Sequence, residues 1–313
     1  MLRTPLRLIG VFGVASCAPA LNATMTVTDS PFHVSRWPKA IIHPDDYDGG
    51  DTLSLTWDLG SVDESVKKKA INAWTVRLPT LTHLKRLQLW THVTQPVFNA
   101  ACELQQLEVF QIKWSNIQDL EAISGLQSLR ALSIGSSTRV KSIEPIGALQ
   151  SLTLLELENL KSISNFSPLR RLKALKSLAV TGSMWSRQAI ESLDPFASMT
   201  WLTSLAIDTS SVSSLRPLSW LVRLRELGLG GRLPFEEYAW LSAMLPNTEC
   251  RWFAPFYDLV ASGYGACKSC HRDSMVMLTG KGKPVLCKHC DAAKVAKHVA
   301  LFEAARASAR SDD

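Results

Sequence analysis

The sequence predicts an α/β solenoid: a parallel sheet along its concave face, a cap at each end, and a small metal-binding domain beyond. Two observations carry this. Between Leu81 and Leu229 the frame L-x-x-L-x-x-L-x-L recurs seven times, opening at Leu81, Leu104, Leu126, Leu149, Leu172, Met199 and Leu221. Near the C-terminus, Cys267-Lys-Ser-Cys270 and Cys287-Lys-His-Cys290 stand sixteen residues apart.

The bulk numbers set the frame. At 313 residues the chain is long enough for a large core, and its 46% apolar content excludes wholesale disorder. A net charge of +6 is spread along the chain, so it permits acidic partners without pointing to one. No apolar run reaches the length of a membrane-spanning helix. Seven cysteines, four of them in two close pairs, read as metal ligands plus Cys17, Cys102 and Cys250, not as a disulfide framework.

The first residues carry two readings. Arg3 and Arg7, an apolar run over 8–15 and Val14-Ala15-Ser16-Cys17 resemble a bacterial lipoprotein signal, which would anchor the chain through Cys17. Alternatively Met25 is the true start and residues 1–24 are a mis-called extension. Because four reduced thiolates suit a reducing compartment, the expected location is cytoplasmic.

Residues 25–77 read as an arm and N-terminal cap. Pro31, Pro38, Pro44 and the 45–50 run predict irregular structure. Alternation over Leu53–Asp58 predicts a strand, and Ser61–Trp74, with Asp63 and Glu64 in its first turn, a helix.

The repeats over 78–230 are spaced by 23, 22, 23, 23, 27 and 22 residues. One such unit cannot bury its own leucines, so each must contribute a strand and a return segment to a stack. Prolines recur in the return segments, at Ile143-Glu-Pro-Ile146, Phe166-Ser-Pro-Leu169, Leu193-Asp-Pro-Phe196 and Leu215-Arg-Pro-Leu218, where a missing amide hydrogen suits a turn. Period and leucine spacing resemble the internalin-type class of bacterial leucine-rich repeats. The family's turn asparagine is here His92, Ser115, Ser137, Leu160, Ser183 and Ser210. Serine reaches less far, so a looser or differently wound solenoid is expected, and the family's role in host adhesion is not carried over.

Residues 231–262 read as a C-terminal cap and hinge: a helix over Pro234–Met244, a last strand over Thr248–Trp252, and Ser262, Gly263 and Gly265 as the hinge. The zinc finger occupies 263–307, with a tail at 308–313. Two Cys-x-x-Cys knuckles at this spacing predict one structural Zn2+ held by Cys267, Cys270, Cys287 and Cys290, four thiolates closing the tetrahedron. A redox pair is the competing reading. Between the knuckles a hairpin is expected over 275–286, its turn at Gly280–Lys283 lacking the Walker spacing, and a helix is expected over Asp291–Ala307. The order resembles a treble clef of the GATA type. That family's tryptophan and adjacent arginines are missing from the hairpin, so DNA reading is not carried over. Residues 251–313 hold ten Lys/Arg against six Asp/Glu. Lys268, Arg272, Lys288 and His289 either offset the thiolate charge or contact nucleic acid.

Strand alternation places Arg86, Gln88 and Trp90 on the concave face, then Val109, Gln111 and Lys113, and in the fourth unit Leu154, Glu156 and Glu158. Trp90, Gln111, Lys113, Glu156 and Glu158 form the expected partner patch, unless Trp90 packs on the N-terminal cap. Trp114 has core parity and is expected to be buried. The fifth unit is four residues longer and carries Trp185, which either projects to a partner or tucks back on the next turn. His33, His43, His83 and His92 have no nucleophile or carboxylate pair beside them, so no enzyme is expected. The sequence reads as a non-enzymatic protein-binding scaffold with a structural zinc finger; nucleic-acid binding through the basic finger is the alternative.

Overall fold

The computed structural model describes residues 30–58, 62–183, 185–259 and 264–309. The lipoprotein-like segment with Cys17 lies outside them, as do Ser61, Ser262 and Gly263.

Eight strands form one parallel sheet in chain order: β1 (Thr52–Thr56), β2 (Arg86–Val93), β3 (Val109–Ser115), β4 (Ala131–Gly135), β5 (Leu154–Glu158), β6 (Ser177–Thr181), β7 (Ser204–Ile207) and β8 (Glu226–Leu229). The leucine frame dictates this sheet. The two apolar residues of each strand, such as Leu132 and Ile134 or Leu155 and Leu157, point to one side and are buried there with the other frame leucines. Each return segment is a short helical turn: 121–125, 144–148, 167–171 and 216–220 are 3-10 turns, while α2 (Gln95–Ala101) and α3 (Asp194–Ala197) are short α-helices. Five of these open with proline in the first turn, at Pro96, Pro145, Pro168, Pro195 and Pro217, where no amide hydrogen is needed. This is a leucine-rich repeat solenoid.

At the N-terminal end β1 pairs with β2, and α1 (Glu64–Arg77) covers the open edge of the core. Trp57 and Trp74 are fully buried, and the Trp74 indole donates to the Ile42 carbonyl at 2.7 Å. At the other end α4 (Phe235–Met244) buries Phe235, Tyr238 and Leu241. The last strand expected over Thr248–Trp252 shrinks to one bridge, Glu226 to Glu249, and 251–253 form a 3-10 turn instead.

The C-terminal module is joined closely to this cap. β9 (Phe256–Asp258) pairs with β10 (Met275–Leu278), which pairs with β11 (Val285–Cys287) in an antiparallel sheet. The module's helix α5 (Ala292–Ala309) places Phe302 in the solenoid's own core, with its ring 6.3 Å from that of Phe235. Arg306 donates to the Ser242 hydroxyl at 2.8 Å and to the Phe253 carbonyl. The Lys281 amide donates to the Leu233 carbonyl at 2.7 Å. Gly280, at φ +115°, lies so close to Phe235 that a Cβ would come within 2.9 Å of it.

The ends of the strands depart from simple alternation. Trp114, Ser136 and Asn159 each adopt left-handed backbone, at φ of 55°, 49° and 54°, and in β2 both Thr91 and His92 do so. A left-handed residue resets side-chain direction, so Trp114 turns outward and is 38% exposed, contrary to its parity. The extra left-handed residue in β2 shifts the register, and Val93, not His92, pairs with Ser115. His92 is therefore exposed, as is Ser210, whose buried place is taken by Thr209.

The asparagine position works differently in each layer. Ser115 donates to Ser137 at 2.7 Å, and both are buried. Leu160 has nothing to offer, and Gln188 from the longer fifth unit replaces it. Its Oε1 accepts from the Leu160 amide at 2.9 Å, and its Nε2 donates to the carbonyls of Leu160 at 3.0 Å and Ile163 at 2.6 Å. The extra residues thus deliver a side chain inward as well as a loop outward. Gln188→Leu should destabilise the chain by about 2–4 kcal/mol in urea unfolding, because buried backbone groups lose their partners, whereas Ser210→Ala should change it by less than about 0.5 kcal/mol.

Candidate metal centre and concave face

The four cysteines converge. The Sγ atoms of Cys267, Cys270, Cys287 and Cys290 all lie within 4.8 Å of one another, at 3.8 Å for Cys267–Cys290 and 3.7 Å for Cys270–Cys287. A tetrahedron with metal–sulfur bonds of about 2.3 Å has edges of about 3.8 Å, so the four thiols are spaced to hold one metal ion. These close approaches run between the knuckles, and all four cysteines are free of disulfides. The first knuckle is closed by the His271 amide donating to the Cys267 carbonyl at 2.8 Å, with His271 left-handed at φ 55°. The second comes directly after β11 and runs into α5, and the Asp291 amide donates to the Cys287 carbonyl at 2.9 Å.

Local donors favour thiolates. The Cys290 amide, 3.4 Å from the Cys287 sulfur, and the Ser274 hydroxyl at 3.0 Å pull the Cys287 thiol down to about 6. Backbone amides, that of Cys270 foremost, lower Cys267 as well. Cys290 is pushed up to about 12, first by its hydrogen bond with Cys270 and then by burial. Four thiols this close cannot all ionise alone; a cation among them removes that conflict. His271 and His289 are exposed beside the cluster. Of the module's cations, Lys288 pairs with Asp258 at 2.6 Å and Lys294 with Asp291 at 2.8 Å.

On the concave face each row runs straight across the sheet. The middle row is Ser54, Gln88, Gln111, Ser133, Glu156, Ala179, Ala206 and Gly228. Its first half is a polar ladder. Ser54 donates to Gln88 Oε1 and Gln88 Nε2 donates to Gln111 Oε1, both at 2.6 Å, and Ser133 donates to Glu156 at 3.3 Å. Gln111 is 9% exposed and engaged in this ladder, so it offers little open surface. Burial pushes the Glu156 carboxyl up to about 7, with Glu158 adding to the shift and Ser133 and Lys113 opposing it.

The outer row places Trp90 beside Lys113, and Lys113 pairs with Glu158. Trp90 is half-buried, beside Thr56 of β1 in the sheet, and its ring lies 5.4 Å from that of Trp114, tilted by 56°. Trp185 is 90% exposed and does not tuck back. Next to it Arg187 donates to Asp208 at 2.7 Å, with Arg232 at 4.0 Å from the other oxygen.

The inner row carries a feature with no local signal in the sequence. The N-terminal arm crosses the concave face, where Phe32 clusters with Val109 and Ala131, and Trp37 and Leu154 pack against that cluster. Arg86 donates to the Pro31 carbonyl at 2.9 Å and lies over the Trp37 ring at 5.0 Å. The role of Gln188 also escapes the sequence reading, although a leucine in the turn position ahead of a longer unit is a usable clue.

Fold and sulfur cluster together define a leucine-rich repeat protein with a four-cysteine site at its C-terminal end. No protein-family model matches the chain, and no curated protein does. Solved structures similar to it include an internalin (inlF) from Listeria monocytogenes, at 19% identity, TM-score 0.44, with 54% of each chain covered. An internalin C2 from the same organism has 25% identity and a TM-score of 0.41, with 50% of this chain and 65% of that one covered. A leucine-rich repeat protein of Leptospira interrogans has 17% identity and a TM-score of 0.41, covering 56% of this chain and 50% of that one. The aligned part thus spans between half and two thirds of those structures' length. Among the described residues no helix is long and apolar enough to cross a membrane.

Glu156 gives a pH signature. Its folded pKa, about 7, lies above the unfolded value of 4.5, so the folded state holds the proton more tightly. The group favours folding at low pH and opposes it increasingly as pH rises through that window. Glu156→Gln should therefore raise stability at pH 8 by on the order of 1–3 kcal/mol and far less at pH 5, measured by denaturant unfolding at both.

Proposed function

We propose that the chain is a non-enzymatic protein-binding scaffold that presents the concave face of its repeats to a partner, with one structural zinc holding its C-terminal module. The observation carrying the first part is the concave sheet itself, a long face whose charged and aromatic side chains stand over a floor tied together by internal hydrogen bonds. For zinc, the support is four sulfurs at tetrahedral spacing, which fill the shell and leave no open position for catalysis. The knuckle, hairpin, knuckle and helix order supports a treble clef. Nucleic-acid binding through this module draws less support, because Asp258 and Asp291 engage Lys288 and Lys294. Four free thiols fit a reducing compartment, and we read the chain as cytoplasmic.

Crosslinked capture from native cells tests the scaffold reading. A specific protein should be recovered, and its yield should fall at least about tenfold with Trp90→Ala plus Lys113→Glu if the Trp90 end contributes a hot spot. Retention of every partner by that double variant counts against this patch.

Metal analysis of reduced protein should give about one zinc per chain. Since α5 shares the solenoid core, chelation or Cys267→Ser should lower the melting temperature of the whole chain, by roughly 5 °C or more. Loss of metal with an unchanged melt would separate the module from the solenoid's stability.

A further inference from the structure

The concave floor divides into a covered and an open half. Over β2 to β5 the chain's own arm lies on the inner row through Phe32. Beyond Leu154 that row continues as Ser177, Ser204 and Glu226, and the middle row as Ala179, Ala206 and Gly228. Apart from Glu226 at the far end, no floor side chain there is taller than a serine. Ala179 and Ala206 are nonetheless buried, so the floor is recessed between walls. One wall carries Trp185 and the Arg187–Asp208–Arg232 cluster. Glu156 closes the groove at its N-terminal end.

The charges in this groove are unequally matched. Glu158 has Lys113, Asp208 has Arg187 and Arg232, and Glu226 at the far end accepts from the Ser204 hydroxyl at 3.4 Å. Glu156 accepts the Ser133 hydroxyl and belongs to no ion pair among the described residues. When it is ionised, the Glu156 carboxylate has no cation paired with it there.

We propose that the groove over β6 to β8 receives an extended peptide segment of a partner protein, with small side chains against Ala179, Ala206 and Gly228 and one lysine or arginine on Glu156. This rests on the scaffold reading above and adds the chemistry of the partner. A flat peptide needs a low floor, and up to Glu226 this half of the sheet is built from Ala, Ser and Gly and is not covered by Phe32. A long basic side chain can then reach Glu156 along the groove, while Trp185 offers an apolar edge at the rim. The arm shows how such a segment is held on this sheet: Phe32 is seated on it, and Arg86 binds the Pro31 carbonyl.

The test uses the full chain and a random twelve-residue peptide library displayed on phage. Selected peptides should be enriched in Lys or Arg flanked by Gly, Ala or Ser. A labelled synthetic representative, monitored by fluorescence anisotropy, should bind at least about tenfold more weakly to Glu156→Gln, and more weakly still to Ala206→Trp, which fills the groove. Trp220→Ala, on a convex turn, should leave it unchanged. Binding should also weaken from pH 8 to pH 6 as Glu156 takes up its proton. Glu156→Gln is isosteric, so it decides the matter if Ala206→Trp does not fold. No enrichment, peptides without a basic residue, or binding indifferent to Glu156→Gln overturns the proposal. Spermidine competing as well as the peptide also overturns it, in favour of a small polyamine. Binding lost through Trp90→Ala and Lys113→Glu instead would sink the groove and spare the scaffold. Failure of native-cell capture to recover any specific protein is the separate result that removes the scaffold.

Discussion

A single repeat of this chain cannot bury its own leucines, and every other feature answers to that constraint. Each strand needs a neighbour on both sides, so the seven units form one continuous core, and the two end layers would otherwise expose theirs. At the N-terminal end Trp57 and Trp74 supply the missing layer. At the other end α4 does so, and Phe302 of α5 completes it. The same buried cluster runs from Ile42 to Phe302. The sulfur cluster is thus attached to the layer that closes the stack.

The second constraint lies at the strand ends. The chain must leave the sheet in each layer, and a left-handed residue is the local device that turns it. That conformation costs little at Asn159, an amide residue suited to it, and more at Trp114. Its effect is to release the next side chains from strand parity. Ser115, Ser137 and Leu160 then point into the turn, where backbone groups need partners, while Trp114 is turned outward against Trp90. Where the inward residue is polar, layers bond directly. Where it is leucine, Gln188 is brought in from the next unit.

Much of this was legible. Period and frame identified the strands and core because the leucines repeat with the geometry they serve, and the cysteine spacing marked the cluster because each knuckle is a local turn. Legibility failed where a contact joins distant parts of the chain. Nothing near Phe32 says that it will cluster with Val109 and Ala131. Strict alternation also gave Trp114 the wrong side and His92 the wrong register, since neither a left-handed residue nor a bulge alters the hydrophobic pattern around it. The partner patch was therefore expected toward the N-terminal end, where Gln111 is in fact enclosed and the arm lies across the inner row.

The four-cysteine cluster reaches the concave face through a chain of packed contacts. The second knuckle fixes where α5 begins, and α5 packs on α4 through Phe302 and Arg306. In α4, Tyr238 donates to the Gly230 carbonyl at 2.6 Å and accepts from the amides of Arg232 and Leu233 at 2.9 and 3.1 Å. Those residues lie just past β8 and carry Arg232 toward Asp208. The last wall of the open groove is thus held by a buried tyrosine on the helix that α5 supports. Every link in that path is a packed or hydrogen-bonded contact, so stability at one end is coupled to the shape of the other. A structural ion there would act on binding by keeping the end of the sheet in shape.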